Sequence, residues 1–428
     1  MLKEIVTLAL RKAAKKQLAQ FQPIVVAVTG SVGKTSTKNA VAIALEAKYS
    51  VRKAEKNYNN EIGVPLAILG EPSPGKDAWE WIKLLKRAKG VKSFPKYLVL
   101  EYGADKPGDI AALCQLATPA VGVITAVSPV HAANYPNFAA LAEEKATLGD
   151  HVPEHGLVVI NTDDPTVALM KDRFEAPVIS YGLQDANVTA SDIRIETRID
   201  DSFDPDEVFA ITRATVNANG ETAELALKNC LGTMPVSASL AAIAVARHAK
   251  IPVVKSVEAL NAHFEPAPGR MRPVPGVKGA LILDDTYNAA PASVMAALET
   301  LAAFETVEHK RKIVALGTMA ELGQYSEAEH RNIGKKVASV ADLFIAVGPD
   351  MKFSADEAAR AGMDADAIEW LTDSVEAGRY LDRMIKKGDI VLVKGSQSAR
   401  MERAVKDIMA DPLRAKDFLC RQDEKWLN

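Results

Sequence analysis

An apolar, β-branched run, Ile24-Val25-Val26-Ala27-Val28-Thr29, breaks into Gly30-Ser31-Val32-Gly33-Lys34-Thr35-Ser36, and a helical pattern takes over from Thr37 to Ala47. A strand that stops at glycine and resumes as a helix is the first half of a parallel strand–helix–strand unit. The same layout makes a phosphate cradle. Glycines let backbone N–H groups approach phosphate oxygens, and the helix N-terminus adds the positive end of its dipole. Lys34 is placed to reach β- and γ-phosphates, and the Thr35 hydroxyl to sit on Mg²⁺. Gly30, Ser31, Gly33, Lys34, Thr35 and Ser36 are therefore candidate nucleotide contacts. The spacing is tighter than the general phosphate-loop pattern, because Val28 stands where its first glycine would be. A plain glycine-rich turn is the alternative.

The alternation continues. Ile24–Val28, Tyr97–Leu100, Val121–Thr125 and Leu157–Ile160 read as buried strands between helical patterns, which predicts an α/β fold with a mainly parallel, doubly wound sheet. Residues 185–230 change to period-two stretches such as Ile193-Arg194-Ile195-Glu196, an antiparallel excursion. An Ala-rich helix follows from Ser237 to Ala249. Pro266, Pro268, Gly269, Pro273, Pro275 and Gly276 then crowd one segment, which reads as a linker. A second α/β pattern begins after it, with strands at Ala280–Leu283, Lys312–Leu316, Leu343–Val347 and Ile390–Val393. The expected organisation is a basic amphipathic helix (1–22), a nucleotide-binding domain (23–265), a hinge (266–276) and a Rossmann-like domain (277–428).

With 428 residues, 52 Lys and Arg against 55 Asp and Glu give a net charge of -3, so bulk electrostatics do not point to nucleic acid. Cys114, Cys230 and Cys420 are scattered, with no metal-ligand spacing, and read as thiols of a reducing compartment. No apolar run is long enough to span a bilayer and no signal peptide is visible, so the cytoplasm is the expected location.

Further stretches carry candidate chemistry. Asn57-Tyr58-Asn59-Asn60-Glu61-Ile62-Gly63 is a polar loop whose Asn59 and Asn60 could order a water, a metal or a carboxylate. Glu101 ends an apolar strand, where open α/β sheets bind ligands, and His131 follows the next strand. Lys145 sits in a helical Glu143-Glu144-Lys145-Ala146. Asn161-Thr162-Asp163-Asp164 follows the fourth strand, Pro268-Gly269-Arg270 lies in the linker, and Asp284-Asp285-Thr286-Tyr287-Asn288-Ala289 opens the last domain. Farther on come Gly317-Thr318-Met319-Ala320-Glu321, His330 and Lys394-Gly395-Ser396-Gln397-Ser398.

In this order, and with the phosphate loop, these stretches resemble the Mur ligases, which join an amino acid or peptide to a carboxylate at the expense of ATP. The likeness is greatest to the MurF type, which adds D-alanyl-D-alanine to a UDP-muramoyl tripeptide in peptidoglycan synthesis. The resemblance implies ATP, Mg²⁺ as one ion or two, and an acyl-phosphate route to an amide bond. It implies that Thr35, Glu101, His131 and Lys145 hold metal, with Lys145 carried as a carbamate that turns a cation into an anion. Lys34, Lys145, His131 and Arg270 would be catalytic, Arg270 meeting the γ-phosphate on closure. Asn161, Asp285 and Asn288 would contact the nucleotide. Asn59, Asn60, Glu321, Lys394 and Ser396 would face a small-molecule or glycopeptide carboxylate acceptor and the incoming amino acid or dipeptide, with His330 nearby.

The chain departs from the family pattern in places. Ala126 stands where Asn is usual, and Met234, Pro235 and Ala238 replace the residues that help hold adenine. Thr318 replaces an aspartate and Gln397 an arginine. Because the phosphate loop begins at residue 30, only the basic helix is expected in the place of the family's UDP-binding domain. Two other readings therefore stay open: a ligase for a lipid-linked or other non-UDP acceptor, and a nucleotide-binding partner protein that no longer ligates. A second basic helix, Trp79-Glu80-Trp81-Ile82-Lys83-Leu84-Leu85-Lys86, could join residues 2–20 on an anionic membrane surface or pack on its own domain.

Overall fold

A computed structural model describes residues 2–54, 58–75, 77–128, 134–197, 208–304 and 310–427. The first domain opens with α1 (Leu2–Phe21), β1 (Ile24–Thr29), α2 (Lys34–Glu46), β2 (Val51–Lys53), α3 (Gly63–Leu69), α4 (Ala78–Lys89), β3 (Tyr97–Glu101) and α5 (Asp109–Leu116). It continues through β4 (Val121–Ile124), α6 (Phe138–Asp150), β5 (Leu157–Asn161), α7 (Pro165–Ala168) and β6 (Val178–Gly182). It ends with β7 (Val188–Thr197), β8 (Ala210–Ala218), β9 (Glu221–Lys228), α8 (Thr233–His248) and α9 (Val253–His263). The strands form one nine-stranded sheet in the order β2-β3-β1-β4-β5-β6-β7-β8-β9. It is parallel from β2 to β7 and antiparallel from β7 to β9.

Alternate residues of β1 serve two helical layers. Val26 and Val28 belong to the core shared with α2, α8 and α9, whereas Val25 and Ala27 belong to the core shared with α3, α5 and α6. A strand buried on both faces reads as an unbroken apolar run, which is why β1 was so legible. The period-two excursion is antiparallel, as its pattern predicts, and extends the same sheet.

The second domain holds β10 (Arg272–Pro275), β11 (Leu281–Asp285), α10 (Pro291–Ala302), β12 (Lys312–Gly317), α11 (Ser326–Ala338), β13 (Leu343–Val347) and α12 (Met351–Arg360). Then come β14 (Ile368–Leu371), α13 (Ser374–Met384), β15 (Ile390–Lys394) and α14 (Glu402–Ile408). The sheet order is β10-β11-β15-β12-β13-β14, parallel except for β10. Part of the segment read as a hinge is thus a strand. Pro273 and Pro275 are compatible with β10 because it is an edge strand, paired only with β11.

The amphipathic helix α1 packs its inward face into the first domain. Leu10 lies with Leu66 and Leu69 of α3 and Leu84 and Ala88 of α4, and Gln17 Nε2 donates to Ala88 O (2.9 Å). No helix among the described residues is long and apolar enough to cross a membrane.

Candidate active site

The phosphate loop is held by the turn that follows β4. Gly30 has φ 144°, and a Cβ there would lie 2.1 Å from Thr125 Oγ1, so only glycine fits. Ser31 N donates to Ala126 O (2.7 Å), and Ser31 Oγ both donates to Ser128 O (3.0 Å) and accepts from Ser128 N (3.1 Å). Thr125 Oγ1 donates to Val32 O (2.5 Å). The Ala126 contact to the loop is thus made by main chain. Gly33, φ 85°, starts α2, and Lys34 Nζ folds back to donate to Gly30 O (2.6 Å) and Ser31 O (3.1 Å). Burial lowers the Lys34 pKa, Glu101 opposes that shift, and Arg270 adds to it.

Glu101 ends β3 almost fully buried, and its two oxygens are divided between neighbours. Oε2 accepts from Thr35 Oγ1 (2.9 Å) and Oε1 from Asn59 Nδ2 (3.3 Å). Arg270 Nη2 in turn donates to Thr35 Oγ1 (3.2 Å), and its guanidinium stacks 4.3 Å from the Tyr287 ring centre. A hydroxyl and a carboxylate beside a phosphate loop are hard oxygen donors, which suit Mg²⁺ held largely by phosphates and water. Among the described residues no group of three His, Cys, Asp or Glu side chains forms a denser metal site. His131 lies outside the described residues.

Lys145 is 2% exposed on α6. Its neighbour Glu144 does not pair with it as on a solvated helix face. Both Glu144 oxygens accept from the start of α5, from Gly108 N (2.8 Å) and Ile110 N (2.7 Å). Burial, and then the charge of Lys34, lower the Lys145 pKa from 10.5 to about 7. The unfolded chain therefore binds a proton that the folded chain releases between these values. Burying Lys145 costs most below the folded value, and that cost fades as pH rises through the window. Lys145→Met is expected to raise the melting temperature in bicarbonate-free buffer at about pH 6, with the gain shrinking by about pH 10. Melting curves of both proteins across that range check it; a gain independent of pH would contradict it.

Between the two domains lies a cavity of about 360 Å³. The first domain lines it with Ser31, Gly33, Lys34, Thr35, Ser36, Asn59 and Glu101; the second brings Arg270, Asp285, Asn288 and Lys394. The last three form one cluster, since Lys394 Nζ donates to Asp285 Oδ2 (2.7 Å) and to Asn288 O (2.8 Å). Other expected residues stand elsewhere. Asn60 Oδ1 accepts from Ile62 N and Gly63 N and so shapes the entry to α3. Asn161 lines a neighbouring cavity with Asp163 and Met234, and its Oδ1 accepts from Asp163 N in a tight turn. Ser396 is buried with its Oγ 3.1 Å from Ser398 Oγ, while adjacent Gln397 reaches the main cavity. Glu321 is exposed and lies off that cavity, and His330 is wholly buried, with Nε2 accepting from Met319 N (3.1 Å).

Sequence reasoning passed over Tyr287 as the surface under Arg270. It also missed the α10 wall, where Ser293, Ala296, Ala297 and Thr300 face the cavity. Small residues repeating at three-, four- and seven-residue spacing were the available signal.

Residues 28–246 match the family model described as Mur ligase middle domain, and residues 269–397 match Mur ligase, glutamate ligase domain. The chain belongs to the Mur ligase family. The UDP-N-acetylmuramoyl-tripeptide--D-alanyl-D-alanine ligase of Mycobacterium tuberculosis is 31% identical over 420 residues, spanning 94% of this chain and 76% of that relative. The ligase of the same name from Bacillus subtilis is 27% identical over 406 residues, 95% of this chain and 80% of its own length. The crystal structure of MurF ligase from Thermotoga maritima in complex with ADP superposes with a TM-score of 0.76 at 27% identity, covering 94% of this chain and 83% of that one. A pseudomurein peptide ligase type C from Methanothermus fervidus shares the fold, with TM-score 0.62 at 20% identity over 90% of this chain and 78% of that one. In this Mur ligase the phosphate loop, Glu101 and Lys145 fall in the middle-domain match, and Arg270, Asp285 and Lys394 in the other. The cavity thus lies on the seam between the two matched regions.

Proposed function

We propose that this Mur ligase is an ATP-dependent amide-bond ligase of the MurF type, joining D-alanyl-D-alanine to a UDP-muramoyl tripeptide. One observation carries the reading. The hydrogen-bond chain from Arg270 to Thr35 to Glu101 links the second domain to the phosphate loop across the cavity. The nucleotide's phosphates belong at Gly30–Ser36, with Lys34 and Arg270 offsetting their charge. Thr35 and Glu101 would hold Mg²⁺, which when bound neutralises phosphate charge as the phosphoryl group moves.

The acceptor carboxylate attacks the γ-phosphorus of ATP, the bond to the β-phosphate oxygen breaks, and ADP leaves behind an acyl phosphate. The amine of the dipeptide then attacks the acyl carbon. Its carbon–oxygen bond to phosphate breaks, inorganic phosphate leaves, and the amine loses its proton. The residues act mainly by positioning and by charge. Lys394, Asp285 and the α10 wall line the second-domain part of the cavity, where they would limit the water that reaches the acyl phosphate.

A carbamate on Lys145 belongs to the same proposal. The amine is buried, lies near the charge of Lys34 and forms no ion pair among the described residues, so a modification that reverses its sign removes a buried like-charge conflict. The carbamate oxygens would supply a further hard ligand.

Phosphate release from ATP, measured with D-alanyl-D-alanine and UDP-muramoyl tripeptide separately and together, tests the function. Release is expected only with both, with a product of their summed mass less water. ATP binding without release from the pair would overturn the substrate assignment.

A further inference from the structure

We propose that the outer faces of α1 and α4 form a docking surface for an anionic lipid bilayer, independent of the ligase cavity. Both helices are amphipathic, and their inner faces are used up in the packing around Leu10, Leu66 and Leu84. Their outer faces nevertheless carry large apolar side chains. Trp79 is 73% exposed, Leu8 69% and Ile82 46%, three of the few large hydrophobics in the described chain that face solvent. Trp79 and Ile82 lie close together on one side of α4, away from buried Leu84 and Ala88.

The charge around them is one-sided. Lys12, Lys15, Lys16, Lys86, Lys89 and Lys92 are exposed, and none has an ion-pair partner among the described residues. Of the nearby acids, Asp77 caps α4, Glu80 pairs with Lys83 (2.7 Å) and Glu71 pairs with Arg87 (2.6 Å), and Glu4, exposed one turn before Leu8, is the single carboxylate of α1 against its several lysines. A chain whose net charge is -3 thus concentrates positive charge on one small helical layer.

Lysines on flexible stems suit a diffuse anionic surface, and a tryptophan with flanking aliphatic side chains suits the headgroup–acyl boundary. A nucleic acid would use the lysines but leave Leu8 and Ile82 without a role, so the combination favours lipid.

Co-sedimentation of the full chain with phosphatidylcholine vesicles, and with vesicles containing phosphatidylglycerol, is the test. Binding is expected to the anionic vesicles alone and to weaken with salt. The double variant Lys86→Glu/Lys89→Glu should weaken it by well over the roughly fivefold that one lysine contributes. Trp79→Ala should weaken it at unchanged charge, and both variants should keep the wild-type melting temperature and ligase rate. No partition into anionic vesicles would overturn the proposal. So would partition indifferent to both variants, or retention on RNA with none on vesicles.

Discussion

Arg270→Ala is expected to lower kcat by about 10³-fold or more, the scale on which an arginine acts on a transferring phosphoryl group. The side chain crosses from the second domain to the phosphate loop, where Nη2 reaches Thr35 Oγ1 at 3.2 Å, and its Cζ lies over the Tyr287 ring, 4.3 Å from the ring centre. Its loss removes the charge proposed to offset the phosphates together with its contact to Thr35, and leaves the loop's own bonds to Thr125, Ala126 and Ser128 in place. The KM for ATP should therefore change much less than kcat. Arg270→Lys should recover only part of the rate, because an ammonium lacks the guanidinium's planar fork of donors and its extended contact over the Tyr287 ring. Steady-state kinetics of both variants decide it, and a KM effect without a kcat effect would assign Arg270 to binding alone.

Lys34→Ala is the other large effect. The Lys34 ammonium lies inside the phosphate loop, fastened to Gly30 O and Ser31 O, and burial already lowers its pKa, so an anionic ligand would restore preference for its charged form. Turnover is expected to fall by about 10²–10³-fold, with weaker nucleotide binding by calorimetry. The fold should persist, since Ser31 N, Ser31 Oγ and Val32 O keep their bonds to Ala126, Ser128 and Thr125. A folded variant that turns over ATP at the wild-type rate would remove the phosphate-loop assignment.

Much of this was legible beforehand because burial writes itself plainly on parallel strands. β1, β3, β4 and β5 are each apolar on both faces and bounded by turn residues. β2 and β14 escaped notice for the opposite reason. Both are edge strands with half-buried or exposed residues, such as Arg52 and Lys53, or Glu369 and Trp370. β10 was hidden by its own prolines, which read as linker until the strand is seen to pair on one side only. The site was legible where a residue type has one use at its position, as with Gly30, Lys34 and Glu101. It was ambiguous where local backbone competes for the side chain. Asn60 is such a case, because asparagine readily satisfies the free N–H groups at a helix entry.

The contact between Arg270 and Thr35 has a thermodynamic corollary. It ties the relative placement of the two sheets to the hydroxyl that a nucleotide-bound metal would claim. Ligand uptake and rearrangement of the seam then become one linked equilibrium. Any affinity measured for ATP includes the free energy of exchanging that bond, and a substitution far from the phosphates that shifts the seam will change nucleotide affinity by at most the coupling free energy with which nucleotide shifts the seam.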